Sequence, residues 1–599
     1  MSIYGKRPGP QACKDPMYIK KRALKILLAY AGVAFSCVTC AISAPERELV
    51  VLFTHDMHGH LDSFSVPGSG ERGGFPRVAR IVSSEREAAP GGTLLLDAGD
   101  FSMGTLFDTI LAEESPELTG MSLLGYDAIT FGNHDFEAGA GVTAAELGNL
   151  IGRPRRPEIV TTNLLLDESA PGVPELRHVL DTWPVRKYAV FERRGLKVCV
   201  FGVMGRQAAE YKYAPGISYS DGVSAASDTV RELRGEAGCD MVIALSHSGT
   251  SSRSEVSEDQ LLAAAVPGID LIVSGHSHTV LEKPIREGGA LIVSAGSWGR
   301  WLGKIRLRER PGGGFSEAGY QLIEVGQGPE DMGVRVFVNR MKERVEESYL
   351  YGFGFDEGIA FSSVSFPSPV SVGYSTAPLA MGDLAADAFR AAVRAAEGPG
   401  SLHVSAAFVP LGTIKTSIPS GRIRVSDVFS VFAANNGPDG RAGMPLATFF
   451  LRGKDIRRYL ESEATIARAN PAARLMVSGI RFSWDPSTPP FSRVRAVHIE
   501  SPEGGYVPLK KDGLYRVVMS VLSASYMKKS FNPEILPLDC DGLPLGEISR
   551  AIVRTSDGEV KEWAALADFL RGFPRTGAEN IPEIPERYGT PRDFEQVLP

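Results

Sequence analysis

Seven side chains scattered between positions 56 and 278 are of the types that bind divalent cations: Asp56, His58, Asp100, Asn133, His247, His276 and His278. They are imidazoles, carboxylates and one amide oxygen. This mixed nitrogen and oxygen set suits Zn, Mn, Fe or Co better than Mg, and the lack of cysteine argues against a structural zinc cage. Two cations about 3.5–4 Å apart, bridged by one carboxylate, can hold the attacking and leaving oxygens of a phosphoryl displacement. Each piece alone says little, because a lone histidine on a loop is more often hydrogen-bonded or solvated than a ligand. His55 and His60 are read in that bland way. The joint series is different: eight of the ten histidines fall between His55 and His278, which packing does not explain.

The elements that must position these residues are legible as short apolar runs at 49–53, 93–96, 128–131, 198–203, 241–245 and 271–273. Most lack alternation, as expected of strands buried on both faces. Segments 76–87 and 224–236 carry helical spacing, so the region is an α/β layered domain. In such sheets, sites form in the crevice outside the carboxyl ends of the strands. Five loops, 54–60, 97–100, 132–137, 246–248 and 275–278, are therefore predicted to converge. Segment 332–348 reads as one amphipathic helix, followed by a Gly- and aromatic-rich connection. A second unit begins near residue 362, with helices at 379–397 and 454–464 and strands at 480–484, 494–500 and 515–519. That mixture is α+β. The Pro- and Glu-rich tail after Pro574 is expected to be loose.

The chain has 599 residues, 43% of them apolar, enough for more than one core. A net charge of −7 leaves no basic footprint for nucleic acid. Lys20, Lys21, Arg22 and Lys25 precede an apolar run at 26–42 that closes on the small residues Ala41, Ser43 and Ala44. This is the pattern of a secretory signal. An uncleaved membrane anchor is the alternative, since the run is near the lower length for spanning. Cys37 and Cys40 lie where a lipid could attach. The protein is thus expected to be exported, either periplasmic or held on the outer side of the inner membrane or cell surface. Membrane contact would come only through this signal or a lipid anchor. Beyond the signal, Cys199 and Cys239 read as small buried residues. With Cys540 the count is odd, and no pairing is assigned.

The series Asp56-x-His58-Gly59, Gly99-Asp100, Gly132-Asn133-His134, His247 and Gly275-His276-x-His278 resembles the calcineurin-like metallophosphoesterases. More narrowly it is similar to the secreted 5′-nucleotidase and UDP-sugar hydrolase family. The resemblance implies a four-layer α/β/β/α metallophosphoesterase domain (45–328), a linker helix and hinge (329–361) and an α+β C-terminal substrate domain (362–575). The export segment (1–44) and the tail (576–599) flank them. It implies two divalent cations, with Zn, Mn or Co expected. Asp56, His58, Asp100 and His278 would hold one, and Asp100, Asn133, His247 and His276 the other, with Asp100 bridging. His134 would stabilise charge on the phosphoryl group or protonate the leaving group. Either Asp135 or Glu137 could orient it. The two domains would rotate about the linker helix to bring substrate to the cations.

The second domain resembles the family in scaffold, through Met381-Gly382-Asp383-Leu384, Leu451-Arg452-Gly453 and Val477-Ser478-Gly479. Its substrate-contacting positions depart. The family's Gly-Gly-Ile-Arg loop reads Gly412-Thr413-Ile414-Lys415, and its Pro-Phe-x-Asn loop reads Ala433-Ala434-Asn435-Asn436. The second base-stacking Phe falls at Leu522, and no Arg stands in 375–378. Lys415 and Asn436 remain as candidate substrate-binding residues. Each aromatic–base stack is worth on the order of 1–3 kcal/mol, so losing two weakens binding of an ordinary nucleotide. The expected function is an exported, 5′-nucleotidase-like phosphoesterase that uses metal-activated water on nucleotides or related small-molecule phosphoesters. The alternatives are a non-catalytic binding protein on this scaffold, and a dimetal hydrolase of a non-nucleotide ester.

Overall fold

The computed structural model describes residues 47–597, apart from 67, 184, 212–213, 351, 370, 373–377, 434–435, 528–534, 577–579 and 593. The export segment with Cys37 and Cys40, and positions 375–377, Ala434, Asn435, Lys528 and Lys529, lie outside the described residues. Among the described residues no helix is long and apolar enough to cross a membrane.

The first half is built on two six-stranded sheets. β1 (Glu48–Thr54), β2 (Thr93–Asp97), β3 (Ala128–Ile129) and β4 (Glu158–Ile159) run parallel in one sheet. The second sheet contains β5 (Tyr188–Arg193), β6 (Leu196–Met204), β7 (Met241–His247), β8 (Leu271–Ser274), β9 (Ile285–Glu287) and β10 (Ala290–Val293). The chain then returns to the first sheet through β11 (Trp301–Glu309) and β12 (Phe315–Glu324), where β11 pairs antiparallel with β1.

The strand sequences explain the layering. Leu49, Val51 and Phe53 of β1 meet Val198, Val200, Ile243, Leu245 and Val273 in the seam between the sheets. Val50 and Leu52, on the opposite face, pack with Phe75, Val78 and Val82 of helix α1 (Phe75–Ala88). On the far side, Cys199, Phe201, Val242, Ala244 and Ile272 pack against α2 (Gly222–Gly235) and α3 (Glu258–Ala265). Strands buried on both faces need no polar alternation. The result is four layers, α/β/β/α.

Cys199 and Cys239 form a disulfide, with Cα atoms 6.0 Å apart. This corrects the unpaired reading. Cys239 sits just before β7, which lies beside β6, so strand pairing brings the two thiols together across a gap in sequence. Cys540 is exposed and free.

Helix α4 (Met332–Ser348) follows, N-capped by Asp331. Arg335 and Lys342 of this helix both pair with Asp62 of the first half. Tyr349, just past its end, is buried in the second half, where its hydroxyl donates to Ala442 O (2.7 Å) and accepts from Trp563 Nε1 (2.9 Å). The segment Gly358–Ser362 already pairs with Gly421–Arg424 of the second half.

In that half, α5 (Ala380–Glu397) packs on a four-stranded sheet. Its strands are β13 (Ala406–Pro410), β14 (Leu446–Arg452), β15 (Leu475–Ser478) and β19 (Leu514–Ser520), in the order β14-β19-β13-β15. A second small sheet joins β16 (Ile480–Trp484), β17 (Val494–Glu500), β18 (Tyr506–Pro508) and, at the end of the chain, β20 (Glu595–Val597). The segment after Pro574 is therefore not loose. Ile584, Tyr588 and Phe594 are buried, β20 pairs with β16, and Arg592 binds Asp383 and Asp387 of α5. Apolar residues spaced through a Pro-rich stretch anchor it without regular periodicity.

Candidate metal centre

The candidate ligands leave the carboxyl ends of β1, β2, β7 and β8 and the loop after β3, and the five loops converge as expected. Asp56, His58 and His278 form one group whose ligand atoms lie within 4.8 Å of one another; Asp100, His247 and His276 form a second. Asp56, His58, Asp100, His276 and His278 all adopt positive φ, between 47° and 71°. Non-glycine residues seldom occupy this region, and such strain clusters where function over-determines the backbone. The loops can turn this sharply because glycines fill the tightest points. A Cβ at Gly132 would lie 2.1 Å from Asp100 Oδ1.

The hydrogen bonds of these residues leave lone pairs aimed at one another. His58 Nδ1 donates to Met103 O (2.9 Å) and His247 Nδ1 to Ala98 O (2.8 Å), so both neutral rings present a bare Nε2. His247 Nε2 lies 3.0 Å from Asp100 Oδ2, yet without hydrogen-bond geometry. His58 Nε2 is 3.1 Å from His278 Nε2 and 3.8 Å from the same Asp100 Oδ2. Asn133 Oδ1 is buried with no donor. Lone pairs crowded face to face, with His58 and His247 each held from behind by a carbonyl, form the donor set that a cation satisfies. Asp100 Oδ2 faces both groups. The residues fit two divalent cations.

The electrostatics keep the carboxylates charged and divide the imidazoles. Burial opposes ionisation of Asp56, but His278 and His55 outweigh it and hold its carboxyl well below the usual range. Asp100 is likewise lowered against burial by His247, His134 and His58. Burial pushes His58 down to about 3 and His276 to about 4, whereas against burial Asp100 raises His247 to about 10 and Asp56 raises His278, so these two must give up a proton when a cation takes its place.

His134 stands beside this cluster, its ring 5.1 Å from that of His58. Its Nδ1 meets Glu137 Oε2 at 2.5 Å. Burial disfavours its charge, but Asp100 and Glu137 overcome that and raise its pKa to about 9. Of the two acids that could orient it, Glu137 does so. Asp135 turns away and clamps the loops, its oxygens accepting from the backbone N–H of Asp100 (3.0 Å), Gly132 (2.7 Å) and Ser102 (3.1 Å).

From the second half, Lys415 is exposed, and its positive charge reaches His134, where it opposes protonation. Asn436 is not brought to this cluster. It bridges to Ala442 and lines a cavity of about 230 Å³ with Asp108, Arg344, Tyr349 and Arg441, and none of the seven candidate ligands lines that cavity.

Two contributors escaped the sequence reading. His55 Nε2 accepts from the Ala295 N–H (2.7 Å), which leaves Nδ1 to donate to Asp56 Oδ2 (2.6 Å). It is a satisfied core histidine, as expected, and it also orients a candidate ligand; its place next to Asp56 was the available signal. Tyr211 sets its ring edge-on to His276 at 6.1 Å. An aromatic residue in the loop after β6 was its only sequence mark.

Residues 49–280 match the family model of the calcineurin-like phosphoesterases, and residues 360–528 that of the 5′-nucleotidase C-terminal domain. The trifunctional nucleotide phosphoesterase protein YfkN of Bacillus subtilis is 27% identical over 78% of this chain and 31% of its own. The 5′-nucleotidase of Vibrio cholerae is 28% identical over 54% of this chain and 60% of its own. The chain thus spans under two thirds of either relative's length. The crystal structure of a 5′-nucleotidase precursor from Thermus thermophilus shares the fold, with a TM-score of 0.63 and 24% identity over 92% of this chain and 99% of that one. By these matches and by its layered architecture, the chain belongs to the calcineurin-like phosphoesterases that carry a 5′-nucleotidase C-terminal domain.

Proposed function

We propose that this chain is an exported, dimetal phosphoric ester hydrolase of the 5′-nucleotidase type, acting on nucleotides or related small phosphoesters. The observation that carries the proposal is the pair of candidate groups sharing Asp100 beside a Glu137-held His134. In this reading Asp56, His58, Asp100 and His278 hold one cation, and Asp100, Asn133, His247 and His276 the other. Cations bound there supply Lewis acidity at a phosphoryl oxygen and lower the pKa of a water. The chain's own residues do the rest. His134, kept charged by Asp100 and Glu137, stabilises negative charge gathering on the phosphoryl oxygens or passes its proton to the leaving oxygen. Lys415 offers a point charge to the phosphate, without the fork of an arginine. Asp135 keeps the Asp100 and Gly132 loops in register.

Leu522 stands where the family places a stacking Phe, and Ala433-Ala434 replace the other motif's Pro-Phe. That favours phosphoesters whose recognition does not depend on sandwiching a base. Export accords with the Cys199–Cys239 disulfide, a bond that persists in oxidising compartments.

The test is turnover by the purified protein, supplied with Mn²⁺, Zn²⁺ or Co²⁺, on mononucleotides, cyclic nucleotides, nucleotide sugars and simple phosphoesters. Chelator-sensitive release of phosphate or of a phosphoester product, abolished by Asp100→Asn, is expected. Absence of turnover across the panel with both cations bound would favour the binding-protein alternative.

A further inference from the structure

Beneath the second candidate group lies a carboxylate with no evident structural partner. Asp259, in the first turn of α3, is fully buried, and neither of its oxygens has a donor in hydrogen-bond geometry. A buried carboxyl left in this way is costly, and each such group in a folded protein calls for an explanation.

Its surroundings supply one. β7 and β8 run parallel with Ser246 opposite Ser274. Along each strand, alternate side chains face α3: Val242 and Ala244 on β7, and Ile272 on β8, share a core with Leu262 and Ala263 of that helix. Ser246 and Ser274 continue the same alternation, and both are fully buried. The Asp259 carboxyl meets this hydroxyl pair. Burial pushes its pKa up to about 7, and the groups that most favour its charged form are the hydroxyls of Ser246 and Ser274. The Asp259 N–H also donates to Gly249 O (3.1 Å), tying the helix start to the loop after β7.

Ser246 is followed at once by His247. Ser274 is followed by Gly275, whose N–H donates to Ser246 O (2.8 Å), and then by His276. The carboxyl therefore sits at the joint from which both histidines of one candidate group depart, and it touches neither. We propose that Asp259 is a positioning residue for the Asp100–His247–His276 group, acting through the Ser246–Ser274 hydroxyl pair. The proposal rests on the dimetal reading above. It predicts asymmetry, because both His247 and His276 side chains leave this joint, whereas the other group is met only through the backbone, where the His276 N–H donates to Asp56 Oδ1 (3.1 Å).

The experiment is a Mn²⁺ binding isotherm with metal analysis on the full chain, alongside circular dichroism. Wild type is expected to bind two ions. Asp259→Ala should weaken one of them about 10–100-fold, the usual effect of losing a group that orients ligands, and the other by clearly less. Asp259→Asn, which keeps the shape and a carbonyl oxygen facing the hydroxyl pair, should restore most of the affinity. The double variant Ser246→Ala/Ser274→Ala should reproduce Asp259→Ala, and it decides the matter if Asp259→Ala does not fold. Two ions at wild-type affinity, or equal weakening of both, would overturn the proposal. Fewer than two ions in wild type would overturn the dimetal reading instead.

Discussion

A buried imidazole with both nitrogens committed cannot be a ligand, but it can decide which way a ligand points. His55 receives an N–H from Ala295 and gives its own to Asp56 Oδ2, which turns Oδ1 toward His278 (3.4 Å) and His58 (4.0 Å). Outer partners of this kind typically matter 10–100-fold in cation affinity. His55→Ala should therefore lower the affinity of one bound ion by about that factor, and calorimetric titration with Mn²⁺ would show it. An unaltered isotherm would reduce His55 to packing. Asp135 teaches a related point. Its type and place suited catalysis, but three backbone N–H groups claim its oxygens, and a carboxylate so engaged serves the loop rather than the reaction.

At the scale of elements, two cross-connections hold segments that the local sequence does not secure. The Cys199–Cys239 disulfide closes a loop with a sequence separation of 40. By the chain-entropy account such a bond is worth about 2–5 kcal/mol. Reduction, or Cys199→Ser with Cys239→Ser, should lower the melting temperature; the same transition with and without reductant would mean that the bond adds no stability. The C-terminal segment depends on Arg592. Its guanidinium pairs with Asp383 and Asp387, and Asp383 is buried with Oδ1 otherwise unpartnered. Burial raises the Asp383 pKa, and Arg592 counters it. The Arg592 side chain is 39% exposed, so its own charge is partly screened, but losing it leaves the buried Asp383 carboxyl short of a donor, at about 1–3 kcal/mol. Arg592→Ala should therefore destabilise the protein and expose the last twenty or so residues to limited proteolysis, whereas Arg592→Lys should keep part of the pairing. Equal protease resistance in wild type and Arg592→Ala would refute the role.

For the whole molecule, the telling relation is between halves. Helix α4 is pinned to the first half at Asp62, and the residue after it is buried in the second. In this arrangement Lys415, well over a hundred residues beyond the last candidate ligand His278, comes within electrostatic reach of His134. Lys415→Ala should raise KM by about tenfold, one lost charged contact of about 1.4 kcal/mol, while both ions stay bound. A change in ion stoichiometry without a change in KM would show that Lys415 does not serve substrate.

The loops that carry the candidate ligands, their order and the layered α/β class were readable along the chain, because a strand buried on both faces leaves an unbroken apolar run and a reactive loop must follow it. Helix 332–348 was readable for the same kind of reason, a strong local period. What folding alone decided were relations between distant residues: which acid faces His134, which thiols meet, that His55 turns Asp56, that Arg592 fastens the end of the chain, and that Lys415 reaches His134 while Asn436 lines a cavity apart from the candidate ligands. None of these leaves a periodic mark. Each depends on distances set by strand register and domain docking, and a linear pattern holds no measure of such distances.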